Sequence, residues 1–528
     1  MTGWRTYTFP VRRRAALVTM LSASLAVLAA CGASSPVAVE RSRELADQPT
    51  TDPTSDSTDP TTDPTGPTSD PTDPTDPTGP STDPTTGPTG PSTEPRPPSD
   101  ILDVGNAKPE RSYDDLVAAT VADLEQLWST TYPELYGEPY EPLEGGVFPA
   151  YPERTDPVPG CGNDESSYPD VQAYVAFYCS VGDFIAYDDG DDSLLLQLSE
   201  ELGDSVMGVV LAHEWGHAIQ QRNGTFAQDP ATIYTEQQAD CFSGAWTARA
   251  RNGEVDGVEF SDADVLGGLA ALITVRDPIN VSSQNPGAHG SGFDRVGAFQ
   301  VGYLNGFARC AELIDTPLPL VPNELSPTGN PDGNAEWGDG PRGILTIVVG
   351  DLNRYWQLVF ADQEGGFPEL TIVAADDPTN VDCAEVESVD DGAAFCPSTN
   401  QVFYDAEYLR QLYDQFGDFT VGYTLGTAWS EAAQTLLGSP LSDEPRSLLN
   451  DCLTGSWVNT ILPENGQPPA DTLASIEPGD LDEAIQTVLL IGDEDAEENQ
   501  NGTAFEKIDS FRDGVLNTLN TCTDRIPD

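Results

Sequence analysis

Apolar residues recur at helical spacing over residues 114–128, where Leu116, Ala119, Val121, Leu124, Leu127 and Trp128 cluster on one side. A Pro- and Gly-rich stretch follows, and then Phe184-Ile185-Ala186-Tyr187-Asp188 reads as a short strand. Residues 194–202 predict a helix, and Asp204 or Ser205 is placed to cap the next one, which carries His213. Further helices are expected over 236–250 and 261–275, and another ends near Cys310. Residues 316–342, rich in Pro, Gly and Asn, read as an interdomain linker. The pattern is α+β and mostly helical.

The chain then repeats itself. Val349-Gly350-Asp351-Leu352 with Trp356 echoes Val121-Ala122-Asp123-Leu124 with Trp128. Phe395-Cys396 before Tyr404-Asp405 echoes Tyr178-Cys179 before Tyr187-Asp188, and Asp451-Cys452 with Gly455 and Trp457 echoes Asp240-Cys241 with Gly244 and Trp246. Residues 501–522 align without gaps to residues 289–310. Four collinear blocks sharing cysteines mark a tandem duplication, with residues 112–315 as the first copy and 343–528 as the second.

Two segments before residue 112 have a different character. Arg5, Arg12, Arg13 and Arg14 precede an apolar run over 15–30, too short for a comfortable transmembrane span, so residues 1–30 read as an export signal. The run ends in Leu28-Ala29-Ala30-Cys31-Gly32, which resembles a bacterial lipobox and implies a lipid on Cys31. Residues 31–111 then form a spacer. Its TDPT-like units over 49–99 cannot bury a core and should be disordered. Extended at ~3.1 Å per residue, those units span roughly 150 Å, enough to lift a globular head off a membrane and into a cell-wall layer. Lipobox, spacer and a preference for Arg over Lys together suggest an extracytoplasmic, membrane-anchored protein of a Gram-positive bacterium.

Composition narrows the partners. The chain carries 88 acidic against 23 basic residues, a net charge of −65 that disfavours nucleic acid and anionic lipid surfaces. Eight cysteines remain beside Cys31, an even number that in an exported chain points to disulfides. With an early and a late pair in each copy, the simplest scheme is Cys161–Cys179, Cys241–Cys310, Cys383–Cys396 and Cys452–Cys522.

The candidate chemistry lies in residues 205–241. His213-Glu214-Trp215-Gly216-His217 is an H-E-x-x-H motif, and it takes two of the three histidines in the chain. Positions i and i+4 share a helix face, so His213 and His217 can present nitrogens to one metal ion, with Glu214 beside them as general base. Glu236, on the following helix, is the candidate third ligand, and Asp240, one turn on, can orient a ligand histidine. His289 is a candidate donor to a developing oxyanion, with Arg295 nearby and Tyr234 as a weaker alternative. In the second copy Thr427, Ala428, Glu431, Ser447, Asn501 and Lys507 stand in place of His213, Glu214, His217, Glu236, His289 and Arg295, while Asp451 matches Asp240. Only the first copy is therefore expected to hold zinc, one ion per chain.

The segments HEWGHAIQ, EQQADCFSGAW, the YC and YD pairs and HGSGFDR together resemble the neutral zinc metallopeptidases of bacteria, and more broadly the gluzincins. The resemblance covers about 200 residues of the first copy and, more weakly, the second. It implies a zincin-like domain with zinc on His213, His217 and Glu236, Glu214 as base, and a peptide or protein as substrate. Two alternatives stand beside this expectation: a non-catalytic surface scaffold with a peptidase-derived fold, and a zinc amidase acting on peptidoglycan peptides.

Overall fold

The computed structural model describes residues 100–162, 165–324, 334–389, 392–463, 467–492 and 501–527. The expected export signal, Cys31 and the repetitive segment to residue 99 lie outside the described residues. Among those described, no helix is long and apolar enough to cross a membrane.

In chain order the first copy contains α1 (Asp114–Tyr136), β1 (Gly146–Ala150), β2 (Val158–Pro159), β3 (Glu165–Ser166), α2 (Tyr168–Gln172), β4 (Ala176–Cys179) and β5 (Phe184–Asp188). It continues through α3 (Leu194–Leu202), α4 (Ser205–Arg222), α5 (Thr232–Arg251), α6 (Asp262–Thr274) and α7 (Gly292–Ala311). The second copy has α8 (Ile344–Val359), β6 (Thr371–Ala374), β7 (Ala393–Cys396), β8 (Gln401–Tyr404), α9 (Ala406–Gln415) and α10 (Phe419–Leu437). It ends with α11 (Asp443–Ile461), α12 (Asp480–Ile491), α13 (Ala504–Leu516) and α14 (Leu519–Thr523). The protein is α+β and mostly helical.

Each copy carries a three-stranded sheet of the same topology. The central strand β5 pairs parallel with β1 and antiparallel with β4, and β8 pairs parallel with β6 and antiparallel with β7. The outer strand β1 is not apparent in the sequence because Pro149 interrupts its alternation, and an edge position tolerates that proline. α1 also runs about two turns beyond its expected end, through Pro133.

The four disulfides join Cys161 to Cys179, Cys241 to Cys310, Cys383 to Cys396 and Cys452 to Cys522, the pairs expected from the repeat. The late bridges span 69 and 70 residues. Asp204 sits at the N-cap of α4 but does not bond the helix backbone; its carboxylate instead accepts from the Ser112 and Ser199 hydroxyls.

One apolar core runs through both copies. Val265, Leu269, Phe293, Val296 and Phe299 of the first pack into the same cluster as Leu481, Ile485, Phe505 and Ile508 of the second. Polar ties cross the same seam. The Asp482 carboxylate accepts from the Phe293 backbone N–H at 2.8 Å and pairs with Arg276 at 2.9 Å. Gln300 donates to the Phe505 carbonyl at 2.9 Å, and the Arg512 guanidinium lies 4.2 Å from the Phe293 ring. The described parts of the linker are also tied down: Leu318 N–H donates to Gln237 and Val321 N–H to Asp294.

Candidate metal centre

α4 and α5 are buried along most of their length, and a glycine sets how closely they approach. A Cβ on Gly216 would lie 3.0 Å from the Ala239 Cα, so the bare position lets the His213 and His217 face of α4 meet the Glu236 and Asp240 face of α5. α7 crosses α5 closer still. A Cβ on Gly302 would fall 1.8 Å from the Cys241 carbonyl oxygen, and the Cys241–Cys310 bridge joins the same two helices.

His213, His217 and Glu236 converge, each offering a ligand atom within 4.8 Å of the others. The Glu236 carboxylate lies 3.2 Å from His213 Nε2 and 3.4 Å from His217 Nε2. The opposite nitrogens of both rings are already engaged. His213 Nδ1 meets Asp240 Oδ1 at 2.8 Å, and His217 Nδ1 meets Gln220 Oε1 at 2.9 Å. Both acceptors favour a proton on Nδ1, which leaves the Nε2 lone pairs free for a metal. Glu236 Oε2 is buried without a hydrogen-bond partner, a costly arrangement unless a cation satisfies it. Two imidazole nitrogens and one carboxylate oxygen form a donor set that suits zinc with one position left open.

The same acids favour positive charge at the imidazoles, which either a second proton or a metal ion can supply. Burial disfavours a charged His213 ring, yet Asp240 and Glu236 outweigh it and raise its pKa to about 10. Burial likewise opposes charge on Glu236, but the His217, His289 and His213 rings hold it well below the usual carboxylate range. Asp240 is lowered against burial by Arg295 and His213. The cluster is buried among acids and draws positive charge.

Asp240 is bound from two sides. Besides His213 it accepts two hydrogen bonds from Arg295, Nε to Oδ2 at 2.9 Å and Nη2 to Oδ1 at 2.8 Å. Arg295 also donates to the Val275 carbonyl at 2.9 Å. Glu214 is buried on α4 and, among the described residues, makes no hydrogen bond or ion pair, so its carboxylate is uncommitted.

His289 lies at the rim with a third of its side chain exposed, its Nε2 4.0 Å from Glu236 Oε2. Asp277 holds it there: the His289 and Gly290 backbone N–H groups both donate to Asp277 Oδ2 at 2.8 Å, and Nδ1 is 3.5 Å from Oδ1. Burial lowers the His289 pKa, but Glu236 and Asp277 raise it above its ordinary value. Tyr234 is half-buried in the first turn of α5 and, among the described residues, makes no hydrogen bond to the cluster.

Sequence reasoning missed Gln220 and Asp277. Gln220 left a faint signal in its i+3 spacing from His217; Asp277 left none, because a turn in the fold brings it to the His289 backbone.

The matching place in the second copy is filled by side-chain cations. Glu431, at the position of His217, pairs with Arg446, which is also 2.8 Å away through Nε. Lys507 donates to Asp451 at 2.8 Å and to Ser447 at 3.0 Å. Protein charge there balances the acids.

Comparison with known proteins shows the family of the chain. The family model described as "Putative neutral zinc metallopeptidase" matches residues 85–311 and again residues 331–518. An uncharacterized protein of Mycobacterium tuberculosis strain H37Rv is 32% identical over 213 residues, covering 36% of this chain and 67% of that protein. The uncharacterized protein YpfJ of Escherichia coli K12 is 22% identical over 195 residues, covering 33% of this chain and 62% of its own length. No solved structure matches the chain. With two matches that together span most of its length, the chain belongs to the neutral zinc metallopeptidase family.

Proposed function

We propose that the first copy is a zinc-dependent endopeptidase, held outside the cell membrane by a lipid on Cys31, and that the second copy is non-catalytic and binds no zinc. One observation carries this reading: Glu236 faces the Nε2 atoms of His213 and His217 while the Nδ1 atoms of both rings are taken. Membrane anchoring rests on the lipobox and spacer of the sequence. The inert second copy rests on Glu431–Arg446 and Lys507–Asp451, which supply the charge balance that a metal would otherwise supply.

When bound, zinc supplies Lewis acidity and lowers the pKa of a water to about 7. Three side chains of the protein would hold it: His213, His217 and Glu236. Glu214, uncommitted beside them, takes a proton from the attacking water and passes it to the leaving amine. His289, steadied by Asp277, donates to the oxygen that gains charge as the carbonyl is attacked. Asp240 and Arg295 act through His213, fixing its tautomer and rotation.

Metal analysis of the full chain, with hydrolysis of an unfolded protein and of muropeptides, tests the proposal. About one zinc per chain, cleavage of the unfolded protein, and loss of that cleavage with zinc retained in Glu214→Gln are expected. A zinc-free or inert protein overturns it, and cleavage of muropeptides alone replaces the endopeptidase with an amidase.

A further inference from the structure

A buried carboxylate cage lies at the start of two helices in the second copy. Asp418 precedes α10, and Asp480 and Glu483 lie in the first turn of α12. One oxygen from each lies within 4.8 Å of the others, and the three residues are only 7%, 4% and 6% exposed. We propose that Asp418, Asp480 and Glu483 form a calcium site, separate from the zinc chemistry of the first copy.

Carboxylates at helix starts are often simple caps, and the bonds present here account for part of this group. Asp418 Oδ2 accepts from the Ala335 N–H at 2.8 Å, Asp480 from the Glu477 N–H at 2.8 Å, and Glu483 from the Phe419 N–H at 2.7 Å. Asp418 Oδ1 is left over, buried and without a hydrogen-bond partner. The first copy provides a control for this position. Asp204 precedes α4 as Asp418 precedes α10, and its carboxylate is satisfied by the hydroxyls of Ser112 and Ser199. In the second copy two further acids stand near the carboxylate instead.

The backbone makes room for them. Gly417 has φ +135°, and a Cβ there would fall 1.9 Å from Glu483 Oε1, so only glycine lets Glu483 reach the cage. Arg276 is engaged by Asp482 at 2.9 Å and offers Glu483 partial compensation. Burial pushes Asp418 up to about 6, with Glu477 adding to the rise, and burial together with repulsion from Asp418 pushes Asp480 and Glu483 well above the carboxylate range. An all-oxygen donor set of three acids favours a hard cation. Calcium, with bonds of about 2.3–2.6 Å and flexible geometry, tolerates this spread better than magnesium, which demands a tight octahedron.

The test is calorimetric titration of the full chain, stripped of metal and resupplied with one equivalent of zinc, using CaCl2 in the presence of excess MgCl2. One saturable calcium site per chain is expected, with a rise of about 5 °C in the unfolding midpoint at saturation. Asp418→Asn and Glu483→Gln should each remove both effects while zinc uptake is unchanged. Both variants relieve repulsion and should fold, and Gly417→Ala, which displaces Glu483, should weaken calcium binding as well. The proposal is overturned if the chain shows no saturable site, if the site survives both variants, or if magnesium competes equally.

Discussion

One carboxylate, Asp240, joins a metal-facing histidine to a buried cation: its Oδ1 meets His213 Nδ1 and Arg295 Nη2, both at 2.8 Å. The histidine ring is thus held by a group that is itself clamped from α7. Asp240→Asn should lower zinc affinity roughly 10–100-fold, measured by competition with a chromogenic chelator. It should also destabilise the fold by about 3–5 kcal/mol, because Arg295 is left as an unpaired buried charge. Arg295→Lys keeps the charge but not the paired donors, and should fall between wild type and Asp240→Asn.

His289 is close enough to the cluster to touch a substrate, and it is not among the three converging ligands. His289→Asn, the residue found at the equivalent position of the second copy, should reduce kcat by about 10²-fold with zinc content unchanged. Steady-state kinetics beside metal analysis checks this; a parallel loss of zinc would make His289 part of the metal site.

The two late disulfides are equivalent in the fold but unequal in consequence. Replacing either Cys241 and Cys310, or Cys452 and Cys522, by serine should cost about 2–5 kcal/mol in chemical denaturation. Only the first pair should also weaken zinc binding, since only that bridge joins the helix of Glu236 to the helix of Arg295.

Asp294 sits at the seam between the copies, where it accepts from the Val321 N–H at 3.1 Å. Burial raises its pKa from 3.8 to about 7; Asp482 adds to the rise, and Arg512 opposes it. The native state therefore holds a proton that the unfolded chain releases. Between about pH 4 and pH 7 rising pH lowers stability, and above pH 7 the penalty is constant. Asp294→Asn removes the titration. Its stability relative to wild type should climb from about pH 4 to about pH 7 and then level off, as read from denaturation curves across that range.

The parts of the site that follow from local spacing are legible in the sequence. His213 and His217 are fixed by the helical period, and the repeat shows which cysteines correspond. Glu236 and Asp240 are legible because i and i+4 on one helix share a face. The seam is not legible. Nothing in the spacing of Asp482, Arg276, Gln300 and Phe293 links them, and their pairing exists only once α7, α12 and α13 have packed. Residues 316–342 read as a plain linker for the same reason, although Leu318 and Val321 bond to residues on the helices of Glu236 and Arg295. Arg446 gave no signal either, since its meaning depends on Glu431 standing where His217 would be.

The pairing of Asp240 with Arg295 has a twin in Asp451 with Lys507, where no histidine needs to be oriented. The latch between these helices therefore has value without catalysis. The second copy, with Thr427, Glu431 and Ser447 where the first has His213, His217 and Glu236, keeps the same helix-to-helix tie and sets Arg446 against Glu431. The second half then serves as a packed support for the first, whose helices it meets along the shared core.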